Sequence, residues 1–201
     1  MGKASKLGAC SALLFLLAGC GGGALHMDAG KRMESGGDFG GAAEEYKKAV
    51  QEQPKSGEAN LGLARCLRKI NDNKGAEEAF KNAIDGDGGN HIEAHVGLAN
   101  ILMENGDLNG AKDEFNTAST LDAQNAAAIY GMGQVMEKQG DLAGAMDKYR
   151  AALKIEPDNA DMHKSLGQVL GQSNKFDEAK REMELAGKLQ RGEIKPDGKA
   201  K

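Results

Sequence analysis

Beyond residue 22 the apolar side chains recur at three- and four-residue spacing in short runs, separated by pairs drawn from Gly, Asn and Asp. That spacing predicts amphipathic helices, and the pairs predict tight turns that fold one helix back on the next. The runs come in matched couples. The segment Ala42-x-x-x-Tyr46-x-x-Ala49-x-x-x-x-Pro54 returns as Ala76, Phe80, Ala83; as Ala111, Phe115, Ala118; as Ala145, Tyr149, Ala152, Pro157; and as Ala179, Met183, Ala186. Successive first alanines lie 34, 35, 34 and 34 residues apart. Twelve residues before each stands a small residue: Gly30, Ala64, Ala99, Gly133 and Gly167. The turn between the halves of each unit is Gly37-Asp38, Asn71-Asp72, Gly106-Asp107, Gly140-Asp141 or Asn174-Lys175. No such unit can bury its apolar stripe alone, so neighbours must stack, and five exceed the minimum of about three.

Period, small positions, aromatic position and turn together resemble the tetratricopeptide repeat. The resemblance implies an all-α fold, an α-solenoid of five helix-turn-helix repeats within 24–191, with repeats at about 23–56, 57–91, 92–125, 126–159 and 160–191. The second repeat departs from the pattern. It ends Asp85-Gly86-Asp87-Gly88-Gly89-Asn90-His91, without the closing proline and with the one extra residue, which predicts a local change of pitch. In the fifth, Met183 replaces the aromatic and Arg191 stands where proline usually does, so its last turn is expected to fray. Residues 192–201 are polar and lysine-bearing and read as a disordered tail.

The amino end has its own pattern. Lys3 and Lys6 precede an apolar run, Leu7 to Ala18, which is too short for a bilayer span of about 20 residues and the right size for a signal peptide. Leu17-Ala18-Gly19-Cys20 is similar to the bacterial lipobox. By that resemblance, residues 1–19 are a signal peptide and 20–23 are the lipidated Cys20 and a short tether, Gly21-Gly22-Gly23. Several acyl chains, at about 0.8 kcal/mol per buried CH₂, anchor firmly. Gly21, rather than Asp, favours the outer membrane, periplasmic face, over the inner membrane.

Removing residues 1–19 takes two lysines and no acids, so 24 basic residues face 30 acidic ones and the formal charge moves from −4 to −6. An acidic balance argues against nucleic acid as a partner. Cys66 is then the one remaining thiol, and stability rests on packing rather than disulfides. It occupies the tenth repeat position, where Ile101, Val135 and Val169 are its equivalents, and reads as a small core residue.

Catalytic and metal-binding patterns fail in detail. His91-Ile92-Glu93-Ala94-His95 lacks the order of a zinc protease, and an EF-hand beginning at Asp85 would need Gly at 90 and Glu at 96, where Asn90 and Val96 stand. Gly30-Lys31 has Leu25 and Arg32 where a phosphate loop requires Gly and Ser or Thr. The chain reads as a non-enzyme with no cofactor and no metal.

In tetratricopeptide arrays the first helices line a concave face, and positions five, nine and twelve point into it. Carried onto this sequence, the partner-binding groove comprises Met27, Leu61, Val96, Tyr130 and Lys164; Lys31, Arg65, Asn100, Gln134 and Gln168; and Glu34, Arg68, Met103 and Glu137, with Gly171 completing the last row. An apolar row flanked by amides and by Lys31, Arg65 and Arg68 predicts an extended or helical ligand with hydrophobic anchors and some acidic character. The lysine and asparagine set with which chaperone-binding members clamp a C-terminal carboxylate is not reproduced.

A lipid-anchored array of this kind resembles the pilotins of type IV pili and the lipoprotein of the Tad (Flp) pilus system in Gram-negative bacteria. The resemblance implies a scaffold for protein partners in the cell envelope that assists assembly of a pilus or secretion (secretin) complex. Its alternatives are an adaptor recruiting periplasmic proteases or peptidoglycan hydrolases and a BamD-like outer-membrane protein assembly factor.

Overall fold

The computed structural model describes residues 22–87 and 91–193. Cys20, the segment before it, Gly88 to Asn90 and the tail from residue 194 lie outside the described residues. Among the described residues ten helices alternate with short turns: α1 (Gly22–Ser35), α2 (Phe39–Glu52), α3 (Gly57–Lys69), α4 (Asn73–Asp85), α5 (Ile92–Glu104), α6 (Leu108–Leu121), α7 (Ala126–Lys138), α8 (Leu142–Ile155), α9 (Ala160–Gln172) and α10 (Phe176–Gln190). No strand occurs among the described residues. The fold is all-α, of the tetratricopeptide solenoid class. The chain divides into two compact units, residues 1–94 and 95–201. The division falls just after the irregular junction at 85–91.

Each hairpin turn is closed by one recurring device. Gly37, Asn71, Gly106, Gly140 and Asn174 take positive φ values of 82°, 63°, 86°, 84° and 58°, which glycine and asparagine tolerate best. The following N–H then reaches back over the preceding helix end, as Asp38 to the Met33 carbonyl and Asp141 to the Met136 carbonyl, both at 2.9 Å. In the first four repeats the next residue also starts the second helix. The carboxylates of Asp38, Asp72, Asp107 and Asp141 accept from the N–H groups of Gly41, Gly75, Gly110 and Gly144. Lys175 gives α10 no such cap. Between repeats, Ser56, Asn125 and Asn159 do the same for α3, α7 and α9.

The two helices of a repeat are held by an aromatic wedge. Tyr46, Phe80, Phe115 and Tyr149 are at most 3 % exposed. The ring of Tyr46 lies against Gly30 of its own repeat and Gly62 of the next, so close that a Cβ at Gly62 would sit 2.6 Å from its edge. Phe115 presses on Gly131 in the same way, and Tyr149 on Gly133, where a Cβ would stand 2.6 Å from the ring. The sequence pattern shows the small residue of the same repeat. The second contact, two positions earlier in the following repeat, explains Gly62 and Gly131 as well.

Three further bonds tie first helix to second at a fixed separation of 19 residues. His26, His95 and His163 each place Nδ1 2.6 Å from a carboxylate oxygen of Glu45, Glu114 and Glu182. His163 also sets Nε2 2.9 Å from the Pro157 carbonyl, and at the same register Asn60 donates to the Pro54 carbonyl at 3.1 Å. This polar position therefore pins the loop that joins one repeat to the one before.

Two expectations about the ends are corrected. Gly22 and Gly23, read as tether, belong to α1, and Gly23 is buried against the side chain of Gln53. The fifth repeat does not fray at Arg191. Gly192 takes φ 65° and the Glu193 N–H closes on the Lys188 carbonyl at 3.0 Å, the stop that ends the first helices, used here by a second helix, while Arg191 pairs with Glu193. Met183 takes the aromatic's place against Gly167, and with Phe176 it remains exposed, at 44 % and 66 %.

Replacing Gly131 by valine inserts branched carbon into the Phe115 ring. The expected loss is about 3 kcal/mol, at the upper end for overpacking a tight core site. Chemical unfolding followed by far-ultraviolet circular dichroism should show the midpoint fall sharply, whereas Gly171→Ala, whose Cβ meets nothing nearer than 4.0 Å, should leave it close to wild type.

Candidate functional site

The first helices carry the candidate partner face, and side chains lace neighbouring ones together. In the first unit, Lys31 on α1 pairs with Glu58 on α3 at 2.7 Å. Arg65 on α3 grips Glu34 on α1 with Nε at 2.7 Å and Nη2 at 3.0 Å, and approaches Glu93 at 3.5 Å. Glu34 also accepts from the Tyr46 hydroxyl at 2.7 Å, so the wedge ring and the face are one network. Beside it, Met27, Asp28, Lys31, Gln53, Ser56 and Glu58 line a hollow of about 270 Å³.

These pairings change the electrostatic reading. Lys31 and Arg65 do not offer free positive charge to an acidic ligand, because Glu58, Glu34 and Glu93 answer them within the first unit. The Arg65 guanidinium, helped by the Tyr46 hydroxyl, holds Glu34 below the usual carboxylate range against the opposing effect of burial. Burial and Glu34 together raise the Tyr46 phenol. Glu58 raises Lys31.

The apolar row divides. Leu61 and Met103 are 9 % and 8 % exposed and belong to the packed interior more than to an open face. Met27, Val96 and Tyr130 are half-buried, as are Arg65, Arg68, Asn100, Gln134 and Glu137, while Lys31, Lys164 and Gln168 are exposed. In the second unit Tyr130 on α7 meets Ser165 on α9, oxygen to oxygen at 2.7 Å, and its ring lies 5.2 Å from that of Tyr149. Burial, then Asp161 and Glu137, hold its phenol above the ordinary tyrosine value, in excess of what its bonds to Ser165 and Gln134 take back. Tyr149 donates to Glu137 at 2.6 Å, repeating the Tyr46–Glu34 bond of the first repeat.

The remaining chemistry-bearing residues are engaged elsewhere. Cys66 is fully buried, and burial pushes its thiol up to about 11, as befits a packed side chain. His95 turns to Glu114, while His91 lies 3.3 Å from the Asp87 carbonyl, so the two do not converge. Among the described residues no cluster of three metal-ligating side chains occurs, and no helix is long and apolar enough to cross a membrane.

Comparison with known proteins agrees with this architecture. The Tetratricopeptide repeat family matches residues 35–83 and 71–135, and a TPR repeat family matches residues 138–174. No curated protein matches the chain. Among solved structures, MamA is 25 % identical with a TM-score of 0.71, over 85 % of this chain and 93 % of that one. PilF of Pseudomonas aeruginosa is 17 % identical with a TM-score of 0.74, over 86 % and 78 %. YrrB, described as having an unusual peptide-binding site, is 18 % identical with a TM-score of 0.65, over 83 % and 85 %.

The Glu34 network yields a pH signature. A carboxylate whose folded value is depressed stabilises fully above its unfolded value, near 4.3, and loses that contribution as the pH falls through the depressed value. Glu34→Gln is expected to cost about 1 kcal/mol at pH 7, limited by solvent around Arg65, and the gap to wild type should close below about pH 4. Urea unfolding of both proteins across that range measures it.

Proposed function

Because this chain belongs to the tetratricopeptide repeat family, we propose that it is a lipid-anchored scaffold that binds protein partners through its first helices and assists assembly of a pilus or secretin complex. The family is generally non-catalytic and serves protein–protein interaction. One observation carries the binding half of the reading. On α7 and α9, packing consumes Ala128, Met132 and Val135, and Met162, Leu166 and Val169, all at most 7 % exposed. The interleaved residues Tyr130, Gln134, Lys164 and Gln168 are left half-buried or exposed on the same two helices. A helix that has satisfied its core still presents an aromatic, two amides and a cation, which is the composition of a peptide-recognition surface.

Support for the anchored, envelope-facing half comes from Leu17-Ala18-Gly19-Cys20 and the basic, apolar and small-residue order before it. Thioether-linked lipid on Cys20 puts the array at the membrane surface, and α1 begins two residues later, so little free chain separates fold from lipid. Gly21 supports the outer membrane and its periplasmic face. A scaffold held there meets secretin subunits where they insert.

A deletion strain is expected to lose most of its detergent-resistant secretin multimers on gels. Complementation with wild type should restore them, whereas Cys20→Ser and the double variant Tyr130→Ala, Lys164→Glu should not. Normal multimers in the deletion strain would remove the pilus and secretin reading. Full rescue by Cys20→Ser would remove the anchor.

A further inference from the structure

The first unit contains a filled version of a site that the second unit leaves open. At position twelve of the first repeat, Glu34 receives two partners: the Tyr46 hydroxyl of its own repeat at 2.7 Å, and the guanidinium of Arg65, position nine of the next repeat, through two nitrogens. At position twelve of the fourth repeat, Glu137 receives the Tyr149 hydroxyl at 2.6 Å in the same manner. Position nine of the next repeat is there Gln168, exposed on α9. No ion pair to Glu137 forms among the described residues, and neighbouring Lys164 makes none with it. The carboxylate is half-buried and oriented by Tyr149, with one lobe of its usual coordination supplied and the other vacant of protein cation.

What borders the open side favours a guanidinium. Tyr130 presents a half-buried ring, fixed by Ser165 at 2.7 Å, and a planar cation stacks on such a ring. Asp161 and Glu137 both raise the Tyr130 phenol, so two carboxylates stand near this ring, with Lys164 exposed on the same helix as Asp161. A carboxylate met by a flat, five-donor fork forms paired bonds that a lysine ammonium does not reproduce.

We propose that the face formed by Tyr130, Glu137, Asp161 and Gln168 takes an arginine side chain of the partner's bound segment, in the place that Arg65 fills within the first unit. The inference rests on the peptide-binding reading above and gives it a chemical preference. It also adds a negative element to the face expected from the sequence: Lys31 and Arg65 are spent internally, and beside the exposed Lys164 the second unit presents the carboxylate of Glu137. The partner segment is extended or helical and carries an arginine where it crosses α7 and α9.

The test is a random dodecapeptide phage library panned on the full chain in detergent, followed by synthetic peptides of each selected sequence with arginine or its neutral isostere citrulline. Arginine should be enriched at one position, and the arginine peptide should bind wild type about tenfold tighter than the citrulline peptide, as for one charged hydrogen-bonded contact. Glu137→Gln, which keeps the Tyr149 bond, should erase that preference. Gln168→Arg, at an exposed position, should supply the cation from within and block the arginine peptide while leaving the circular dichroism spectrum intact. Selected peptides that lose affinity with Tyr130→Ala but show no arginine preference, or that prefer acids, overturn the inference and leave the peptide-binding reading standing. A library that yields no binder sensitive to Tyr130→Ala or Lys164→Glu overturns both.

Discussion

The structure depends on one close approach: a ring at position twenty-four of a repeat pressed against backbone that carries a small side chain or none. Tyr46 between Gly30 and Gly62 is the clearest case. Helices packed through ordinary side chains stand 8–10 Å apart, and glycine or alanine at the contact brings them to the near end of that range. The ring then fills the remaining volume and couples three helices at once, two of its own repeat and one of the next. Stability in such an array is a sum of nearest-neighbour contacts, and within a unit the wedge is one contact through which a repeat reports to the next.

The wedge also decides what the face looks like. Where the ring is tyrosine, its hydroxyl emerges beside position twelve and needs an acceptor, and a glutamate stands there: Glu34 over Tyr46, Glu137 over Tyr149. Where the ring is phenylalanine, as at Phe80 and Phe115, position twelve is Arg68 or Met103 and carries no carboxylate. The polarity of the candidate partner face is therefore written by a residue in the core. A change of Tyr149 to Phe would take from Glu137 its hydroxyl donor, whereas after a change of Tyr46 to Phe Glu34 would keep Arg65.

The fold was legible because its signals are local and repeated. A period of 34, a positive-φ residue before an aspartate cap, and a small residue twelve before an alanine each need only a few neighbouring positions to be recognised. The candidate site was less so, because its chemistry depends on pairs that only stacking brings together. Arg65 and Lys31 look like open cations in sequence, and their partners Glu34 and Glu58 lie a whole repeat away, on a neighbouring helix. The His–Glu bonds were half visible: His95 and His163 share a register, but the glutamates 19 residues on are not apparent until the hairpin closes. Leu61 shows the other limit. A face position and a core position differ by a rotation of the helix, and 9 % exposure puts it on the inner side of that line.

Charge economy then separates the two units in function. In the first, Lys31 with Glu58 and Glu34 with Arg65 neutralise one another and lock α1 to α3, which stiffens the repeat nearest the amino end. In the second, Tyr130 on α7 meets Ser165 on α9 through an uncharged contact, and Glu137 accepts from the Tyr149 hydroxyl with no ion pair among the described residues. Recognition gains from the second arrangement, in which a carboxylate already oriented by a buried hydroxyl waits for a donor from outside and no internal pair has to be broken first. The same two-residue motif therefore serves as a brace when position nine of the next repeat is arginine and as a docking point when it is glutamine.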